Sequence, residues 1–302
     1  MVGAEAYRHL SPQARDVAAL PVAERMATFG GQRWIGYPAA QAAISRLEHI
    51  LAHPPVLRPP NLLIVGPTNN GKSMIAERFR RLHPPGMSAD RERQNIPVLS
   101  IQMPSSPTTR RFYAALLAAV GSPLVTSGTT DLREQRALRI MRQVGVRVLI
   151  IDELHNILAA RPGQQREFLN LLRFIGNELR VSLCCLGTKE AYLAIRSDDQ
   201  LENRFEPIPL PRWTDGVDLG RLLASFEATL PLREPSDLSS PELRALILRR
   251  SEGTIGEIAT LLSAATRKAL AAGRERIDAD LILAADYQGP SERRRQFEAS
   301  LG

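Results

Sequence analysis

The sequence predicts an α/β fold in which a parallel sheet is covered by helices on both faces and is followed by a small helical domain. Between residues 61 and 211, short apolar runs alternate with long amphipathic stretches, which is typical of buried parallel strands joined by crossover helices. After Pro211 the apolar runs stop and the remaining segments have helical spacing. A length of 302 residues allows one large or two modest domains.

The individual elements follow from the same periodicities. Strands are predicted at residues 61–65, 97–101, 146–151, 181–186 and 207–210. Helices are predicted between and after them, at 72–83, 107–120, 131–144, 164–180, 188–196, 217–230, 240–251, 254–272 and 278–286. Ahead of the sheet, one helical stretch runs from Ser11 to Arg25 and another from Pro38 to Ala52, which His53-Pro-Pro ends because proline cannot continue the hydrogen-bond ladder.

These elements define four parts of the chain. We expect an N-terminal helical extension at 1–60, an α/β core at 61–211, a helical lid at 212–288 and a charged tail at 289–302. The composition of residues 121–130 predicts a flexible loop within the core.

The charge balance is strongly basic. The chain carries 39 Lys and Arg against 32 Asp and Glu, a net charge of +7, which favours an acidic partner with nucleic acid as the default. The alternative is a GC-rich genome, because only three of the basic residues are lysine. Two adjacent cysteines exclude a disulfide framework. No apolar run reaches the roughly 18 residues that span a bilayer, so we expect a cytoplasmic protein without a membrane segment.

The strongest motif lies between the first predicted strand and the helix that follows it. It matches the phosphate-binding P-loop pattern G-x-x-x-x-G-K-[ST], with the residues Gly66, Pro67, Thr68, Asn69, Asn70, Gly71, Lys72 and Ser73. The glycines allow backbone N–H groups to turn around phosphates, Lys72 supplies a positive charge, and Ser73 supplies a hydroxyl to Mg²⁺. ATP and Mg²⁺ are the predicted cofactors.

A second motif is the apolar run 148–151 followed by Asp152 and Glu153. Acids at the carboxyl end of a parallel strand lie at the edge where open α/β sheets bind ligands. Asp152 is predicted to hold Mg²⁺ and Glu153 to take a proton from the attacking water. The alternative is a strand that simply ends in a solvated acidic turn.

Two further residues are candidates for the same chemistry. Thr188 follows the strand predicted at 181–186 and is predicted to orient the attacking water, with an ordinary strand end and a helix cap as the alternative. Arg204 precedes the last strand, where an arginine of a multimeric ATPase projects into the neighbouring subunit's site. Arg196 and Arg212 are alternatives, and all three could be ordinary surface arginines.

In this order, these elements resemble the AAA+ ATPase superfamily over about residues 34–275. The segments Arg33-Trp-Ile-Gly-Tyr-Pro38, Arg58-Pro-Pro-Asn leading into the P-loop, and Ser106-Pro-Thr-Thr-Arg-Arg-Phe-Tyr113 leading to Gly121-Ser-Pro123 resemble the TniB family of bacterial transposition proteins. The resemblance implies an ATP-dependent regulator on double-stranded DNA. It implies three kinds of partner: a DDE transposase of the TniA type, a TniQ-like accessory protein, and further copies of the chain in a ring or helical filament.

The resemblance also implies roles that the motifs do not give. Ile35 and Tyr37 would lie near the adenine, whereas the residues alone are equally consistent with a hydrophobic staple before the helix at 38–52. Thr108, Thr109, Arg110 and Arg111 would contact DNA phosphates, against the alternative of a helix N-terminus with solvated arginines.

One departure from the superfamily concerns the lid. Its sensor arginine is missing from the corresponding stretch Gly253-Thr-Ile-Gly256-Glu257, which predicts weak hydrolysis.

Two other functions fit the same motifs. One is a replication-type helicase or clamp loader, and the other is a signalling P-loop ATPase that does not act on DNA.

Overall fold

The computed structural model describes residues 7–29, 34–88, 92–123 and 129–301, and it divides into two compact units. The α/β unit comprises Ala39–Pro211, and the helical unit comprises Met1–Pro38 together with Arg212–Gly302. The sequence-based division placed its first boundary at residue 60, whereas the compact units divide after Pro38. Residues 124–128 of the predicted loop, and Arg33 of the N-terminal motif, lie outside the described residues.

The sheet of the α/β unit has five parallel strands in the order β4-β5-β6-β1-β7, which confirms the predicted fold class. The strands are β1 (Asn61–Val65), β4 (Val98–Gln102), β5 (Val148–Asp152), β6 (Ser182–Gly187) and β7 (Phe205–Pro209). A separate two-stranded antiparallel ribbon, β2 (Gly86–Met87) with β3 (Gln94–Asn95), was not predicted because two-residue strands carry no periodicity.

Helices surround this sheet in the described part of the unit. They are α3 (Pro38–Ala52), α4 (Lys72–Leu82), α5 (Thr109–Ala119), α6 (Thr130–Gln143), α7 (Pro162–Leu179), α8 (Lys189–Arg196) and the short α9 (Asp199–Glu202), with a 3₁₀ helix at Leu154–Ala159. Residues 148–151 are fully buried in the middle of β5, and Phe112 of α5 packs edge-on against Phe168 of α7 with ring centroids 6.1 Å apart. Each buried side chain of this kind contributes roughly 1.5–3 kcal/mol, so the core holds the strand ends that carry the motifs.

The helical unit combines the two ends of the chain. Its helices are α1 (Pro12–Ala18), α2 (Val22–Thr28), α10 (Val217–Glu227), α11 (Pro241–Ser251), α12 (Ile255–Ala271), α13 (Ala279–Ala284) and α14 (Pro290–Ser300). The single helix expected from Ser11 to Arg25 is divided in two, because Pro21 disfavours helical backbone at the residue before it. None of the described helices is both long and apolar enough to cross a membrane.

A buried ion pair joins the N-terminal helices to the C-terminal ones. Arg25 of α2 is only 1% exposed, and it donates two hydrogen bonds of 2.7 Å to the Glu275 carboxylate and one of 3.0 Å to the Pro231 carbonyl. The predicted charged tail forms α14, where Arg293 pairs with Glu257 of α12 at 2.8 Å. The described N-terminal helices α1 and α2 and the C-terminal helix α14 therefore belong to one unit.

Candidate nucleotide-binding site

The P-loop pattern forms the turn between β1 and α4, as predicted. Asn69 and Gly71 have φ angles of 60° and 85°, a left-handed conformation that glycine adopts without a steric penalty. Lys72 is the first residue of α4. The helix therefore starts directly at the loop, where its N-terminal N–H groups are available to an anion.

Lys72 is buried although it is a charged residue. Its Nζ donates hydrogen bonds to the carbonyl oxygens of Gly66 at 2.8 Å and Pro67 at 2.7 Å. Burial lowers the pKa of Lys72, while the carboxylates of Glu153 and Asp152 favour its charged form. The ammonium group is thus held inside the loop, within electrostatic reach of both acids.

The base of the loop is tied to two neighbouring strands. The Asn70 side chain donates hydrogen bonds to the carbonyls of Leu210 at 2.8 Å and Pro211 at 2.9 Å, and the Gly66 N–H donates to the Gly187 carbonyl at 3.1 Å. A Cβ atom on Gly66 would lie 2.6 Å from the Leu210 carbonyl oxygen. Gly66 is therefore needed because the chain after β7 passes so close to the loop.

Ser73 and Asp152 meet across the sheet edge. The Ser73 hydroxyl donates to Asp152 Oδ2 at 2.6 Å, and the Glu153 N–H donates to Asp152 Oδ1 at 2.8 Å. A hydroxyl beside a carboxylate is a donor set that suits Mg²⁺, which usually adds phosphate oxygens and water to one or two carboxylates. These two residues fit the predicted metal role.

Glu153 occupies a strained turn directly after β5. Its φ angle is 56°, which is uncommon for a residue other than glycine. Its carboxylate Oε2 lies 2.9 Å from Nε2 of His155, whose Nδ1 is buried without a hydrogen-bond partner among the described residues. Sequence reasoning missed His155, although its position two residues after Glu153 was the available signal.

A family model described as "Bacterial TniB protein" matches residues 25–215. The chain belongs to the TniB family. No curated protein matches the chain.

Several solved structures share the fold of this TniB family member. The ORC2 protein of Aeropyrum pernix, in ADPNP–ADP complexes, is 17% identical with a TM-score of 0.57, over 81% of this chain and 65% of that one. The ORC1 protein of the same organism, in complex with DNA, is 21% identical with a TM-score of 0.56, over 89% and 68% of the two chains. Cdc6p of Pyrobaculum aerophilum is 14% identical with a TM-score of 0.57, over 82% and 66%. At these identities the matches show a shared fold, which agrees with the predicted parallel sheet covered by helices.

Thr188 follows β6, which lies between β1 and β5 in the sheet. Thr188 therefore follows the strand that lies between the strand before the P-loop and the strand that ends at Asp152. The Thr188 hydroxyl donates to the Glu190 carboxylate, an interaction that lowers the pKa of Glu190. Orientation of the attacking water by Thr188 stays a prediction.

Arg204 lies at the opposite edge of the sheet from the P-loop. It directly precedes β7, whose first residue pairs in register with the first residue of β1, and its Nη1 donates to the amide oxygen of Asn177 at 2.8 Å. The alternative Arg196 is paired with Glu202 at 2.9 Å, and Arg212 donates to the Glu252 carbonyl at 2.6 Å within the helical unit. Arg204 is the one of the three with a neutral side-chain partner in the described structure, and its action in a neighbouring subunit stays a prediction.

The residues predicted near the adenine belong to the helical unit. Ile35 and Tyr37 are buried, and the Tyr37 ring packs edge-on against Trp213 with centroids 5.2 Å apart. Burial raises the pKa of Tyr37 to about 12. Adenine contact by these two residues stays a prediction.

The N-terminus of α5 carries the residues predicted to contact DNA. The Thr108 hydroxyl caps the helix by accepting from the Arg111 N–H at 3.2 Å, and the Thr109 hydroxyl donates to the Glu167 carboxylate at 2.6 Å. Thr109 therefore has no hydroxyl proton left for a phosphate. Arg110 and Arg111 are exposed, so the DNA prediction rests mainly on these two side chains.

The lid stretch that lacks an arginine is held within the helical unit. The Glu257 carboxylate accepts hydrogen bonds from Tyr287 Oη at 2.8 Å and from Arg293 Nη2 at 2.8 Å. A Cβ atom on Gly253 would lie 2.5 Å from the Trp213 carbonyl oxygen. The stretch is thus a packing element of this unit, and the weak hydrolysis predicted from its sequence stays a prediction.

Proposed function

We propose that this chain is an ATP-dependent, sequence-tolerant DNA-binding regulator of transposition. It assembles on target DNA and recruits or activates a DDE transposase of the TniA type, with a TniQ-like protein as a further partner. The observation that carries the proposal is a complete P-loop, with buried Lys72 and the Ser73–Asp152 contact, in a member of the TniB family.

The described side chains supply each step of nucleotide binding and hydrolysis. Lys72 and the N-terminal N–H groups of α4 bind the phosphates. Ser73 and Asp152 would hold Mg²⁺, which would supply positive charge beside the phosphates. Glu153 accepts the proton of the attacking water, and Thr188 orients that water. The contact with His155 fixes the orientation of the Glu153 carboxylate, which is the proposed base.

The distribution of charge supports a nucleic-acid partner. Residues 39–211 contain 22 Lys and Arg against 15 Asp and Glu, whereas the rest of the chain contains 17 of each. The whole net charge of +7 thus belongs to the α/β unit. Genome bias alone would spread the excess over both units, so this asymmetry favours DNA binding by the α/β unit.

The exposed arginines of α5 are the proposed phosphate contacts. Arg110 and Arg111 follow β4 at the same edge of the sheet as the P-loop. Contacts of this type position a protein on DNA without reading its sequence. One solved structure with the same fold, the Aeropyrum pernix ORC1 protein, is described as a complex with DNA, which agrees with this use of the fold.

The test is DNA binding by the intact chain with and without a non-hydrolysable ATP analogue, over a series of salt concentrations. We expect binding that requires nucleotide, tolerates any duplex sequence, and weakens with a log–log slope of about −0.9 per phosphate contact. The double variant Arg110→Ala and Arg111→Ala should make that slope shallower by about 2 and keep its nucleotide affinity. Lys72→Ala should lose both nucleotide and DNA binding.

Several results would overturn parts of this proposal. If folded Lys72→Ala protein bound DNA with the parent's affinity, DNA binding would not depend on bound nucleotide. Parent-like slope and affinity in the double variant would show that the DNA surface lies elsewhere. Duplex unwinding coupled to rapid ATP turnover would favour the helicase class, and failure to bind DNA at any salt would favour a signalling ATPase.

A further inference from the structure

Two segments that the proposed function uses leave neighbouring strands at the same edge of the sheet. β5 ends at Asp152 and is followed by the turn that contains Glu153, while β4 ends at Gln102 and is followed by residues 103–107, which lead to the N-terminus of α5. The two strands pair in register, with Gln102 opposite Asp152. The turn with the proposed base and the segment that leads to the proposed DNA contacts therefore both begin one residue beyond the same pair.

A ring of hydrogen bonds joins these two segments. The Met103 N–H donates to the Asp152 carbonyl at 2.8 Å, and Nδ2 of the Asn156 side chain donates to the Met103 carbonyl at 3.0 Å. The Asn156 N–H donates in turn to the Glu153 carbonyl at 2.9 Å. We call these four residues the strand-end ring. The first bond continues the pairing of β4 with β5, whereas the Asn156 side chain ties the segment after β4 to the turn that holds Glu153.

The strand-end ring meets the nucleotide site at Asp152. The Asp152 carboxylate accepts hydrogen bonds from the Ser73 hydroxyl at 2.6 Å and from the Glu153 N–H at 2.8 Å, so this residue belongs both to the proposed metal site and to the ring. Glu153 has a φ angle of 56°, and a strained turn of this kind persists only while the surrounding structure holds it. A change in the ligands of Asp152 therefore alters this turn and, through Asn156, the position of Met103.

Residues 103–107 connect the strand-end ring to the first turn of α5. Both end residues of this segment are buried, and Pro104 and Pro107 restrict its backbone because proline fixes φ. Near its far end, Nη1 of Arg111 donates to the Ser106 carbonyl at 3.3 Å. A short segment with two prolines has few ways to absorb a shift internally, so a shift at its start reaches the residue that carries a proposed phosphate contact.

We propose that Asn156 is the positioning residue through which bound nucleotide and bound DNA strengthen each other's binding. The inference rests on the proposed function and adds to it the route between the two ligands. Asn156 belongs neither to the P-loop nor to α5, so it acts through the residues that it holds. The coupling is reciprocal, because DNA must raise nucleotide affinity by the same factor by which nucleotide raises DNA affinity.

The test measures this coupling in the full chain, at a salt concentration low enough for DNA binding without nucleotide to be measured. The coupling factor is the duplex affinity with a non-hydrolysable ATP analogue divided by the affinity without it. Asn156→Leu removes the amide donor at similar volume, and Asn156→His offers a ring nitrogen at the same number of bonds from Cβ. Asn203→Leu is the matched control, because the Asn203 amide also donates to a backbone carbonyl, that of Asp199 at 2.8 Å, but at the exposed end of α9.

We expect a coupling factor of at least about tenfold for the parent. The factor should be about fivefold smaller for Asn156→Leu, which corresponds to one hydrogen bond. The affinity of Asn156→Leu for nucleotide without DNA, and for DNA without nucleotide, should equal the parent's, since the residues proposed to bind each ligand are unchanged. Asn156→His should recover part of the coupling, and Asn203→Leu should keep all of it. Arg111→Ala should instead weaken DNA binding with and without nucleotide.

Hydrogen–deuterium exchange gives a second readout, which in the parent needs no substitution. The ATP analogue alone, without DNA, should slow the exchange of backbone amides in residues 103–111 as well as in the P-loop. In Asn156→Leu the effect on residues 103–111 should be lost, while the effect on the P-loop should remain. If Asn156→Leu does not fold, the measurement on the parent decides.

The inference is overturned if folded Asn156→Leu keeps the parent's coupling factor, or if the analogue slows exchange in the parent's P-loop but not in residues 103–111. Either result leaves the proposed function standing. The inference also fails if Asn156→Leu loses nucleotide affinity in the absence of DNA, which would assign Asn156 to the nucleotide site itself. A parent chain whose DNA affinity does not depend on nucleotide would contradict the proposed function and the inference together.

Discussion

Replacing Gly66 with alanine tests whether the segment Leu210–Pro211 holds the P-loop in place. An alanine Cβ would lie 2.6 Å from the Leu210 carbonyl oxygen and 3.1 Å from the Leu210 Cβ, and Cβ atoms essentially never come within 3.0 Å of a heavy atom outside their own residue and its two chain neighbours. The first neighbour is backbone, so no side chain can rotate away. The segment Leu210–Pro211 must shift, and the same two carbonyls accept the hydrogen bonds of the Asn70 side chain.

The size of the effect follows from these contacts. Overpacking a filled position costs about 1–3 kcal/mol, and each Asn70 hydrogen bond that is lost adds about 1 kcal/mol. We therefore expect Gly66→Ala to lower the free energy of unfolding by about 2–4 kcal/mol in urea titrations followed by circular dichroism. Nucleotide affinity should fall as well, because Asn70 no longer holds the loop in place.

Gly163→Ala is the matched control. Gly163 lies in the first turn of α7, and no heavy atom outside its own stretch of helix lies within 4 Å of the position that an alanine Cβ would take. Its replacement should leave stability unchanged or raise it by up to about 1 kcal/mol. If Gly66→Ala unfolds at the same urea concentration as the parent and binds nucleotide equally well, the close approach of Leu210 to the loop is refuted.

Two further substitutions test the catalytic assignment and the helical unit. Glu153→Gln should keep nucleotide affinity but reduce ATP turnover by about 10²–10⁴-fold, because an amide cannot accept a proton; parent-like turnover would show that Glu153 is not the base. Arg25→Ala should destabilise the fold by about 3 kcal/mol at neutral pH, since it leaves the partly buried Glu275 carboxylate without its main partner. The hydrogen bond from Arg25 lowers the pKa of Glu275, so this contribution exists above the ordinary carboxyl pKa and is lost as the pH falls through the lower folded value. Urea titrations from about pH 7 to about pH 3 should therefore show the gap between parent and variant narrowing in acid, and a constant gap would contradict the ion-pair explanation.

Local patterns were sufficient for much of the α/β unit. The strand at Asn61–Val65 and the helix at Pro38–Ala52 have the predicted bounds, and the other sheet strands differ from prediction by one or two residues. A buried strand is apolar along its whole length and is bounded by loop residues, so its position is visible without knowledge of its partners. The P-loop is a contiguous motif for the same reason.

The sequence alone could not predict contacts between segments that are far apart in the chain. Nothing local indicates that the Asn70 side chain bonds to the Leu210 carbonyl, 140 residues away, or that Arg25 bonds to Glu275, 250 residues away. Each of these pairs depends on which elements pack together. Without knowledge of its neighbours, a polar residue in a sequence fits a solvent-exposed position as well as a buried, hydrogen-bonded one.

The linear order of residues was enough to define the elements and the chemistry at their ends, which are the P-loop, the acids Asp152 and Glu153, and the family. The arrangement of those elements in space came from the folded structure, which supplied the strand order β4-β5-β6-β1-β7 and the contact between Ser73 and Asp152. The difference is one of range. Periodicity and turn chemistry act over a few residues. Strand pairing and burial bring together groups that are more than a hundred residues apart in the chain, such as the Asn70 side chain and the Leu210 carbonyl.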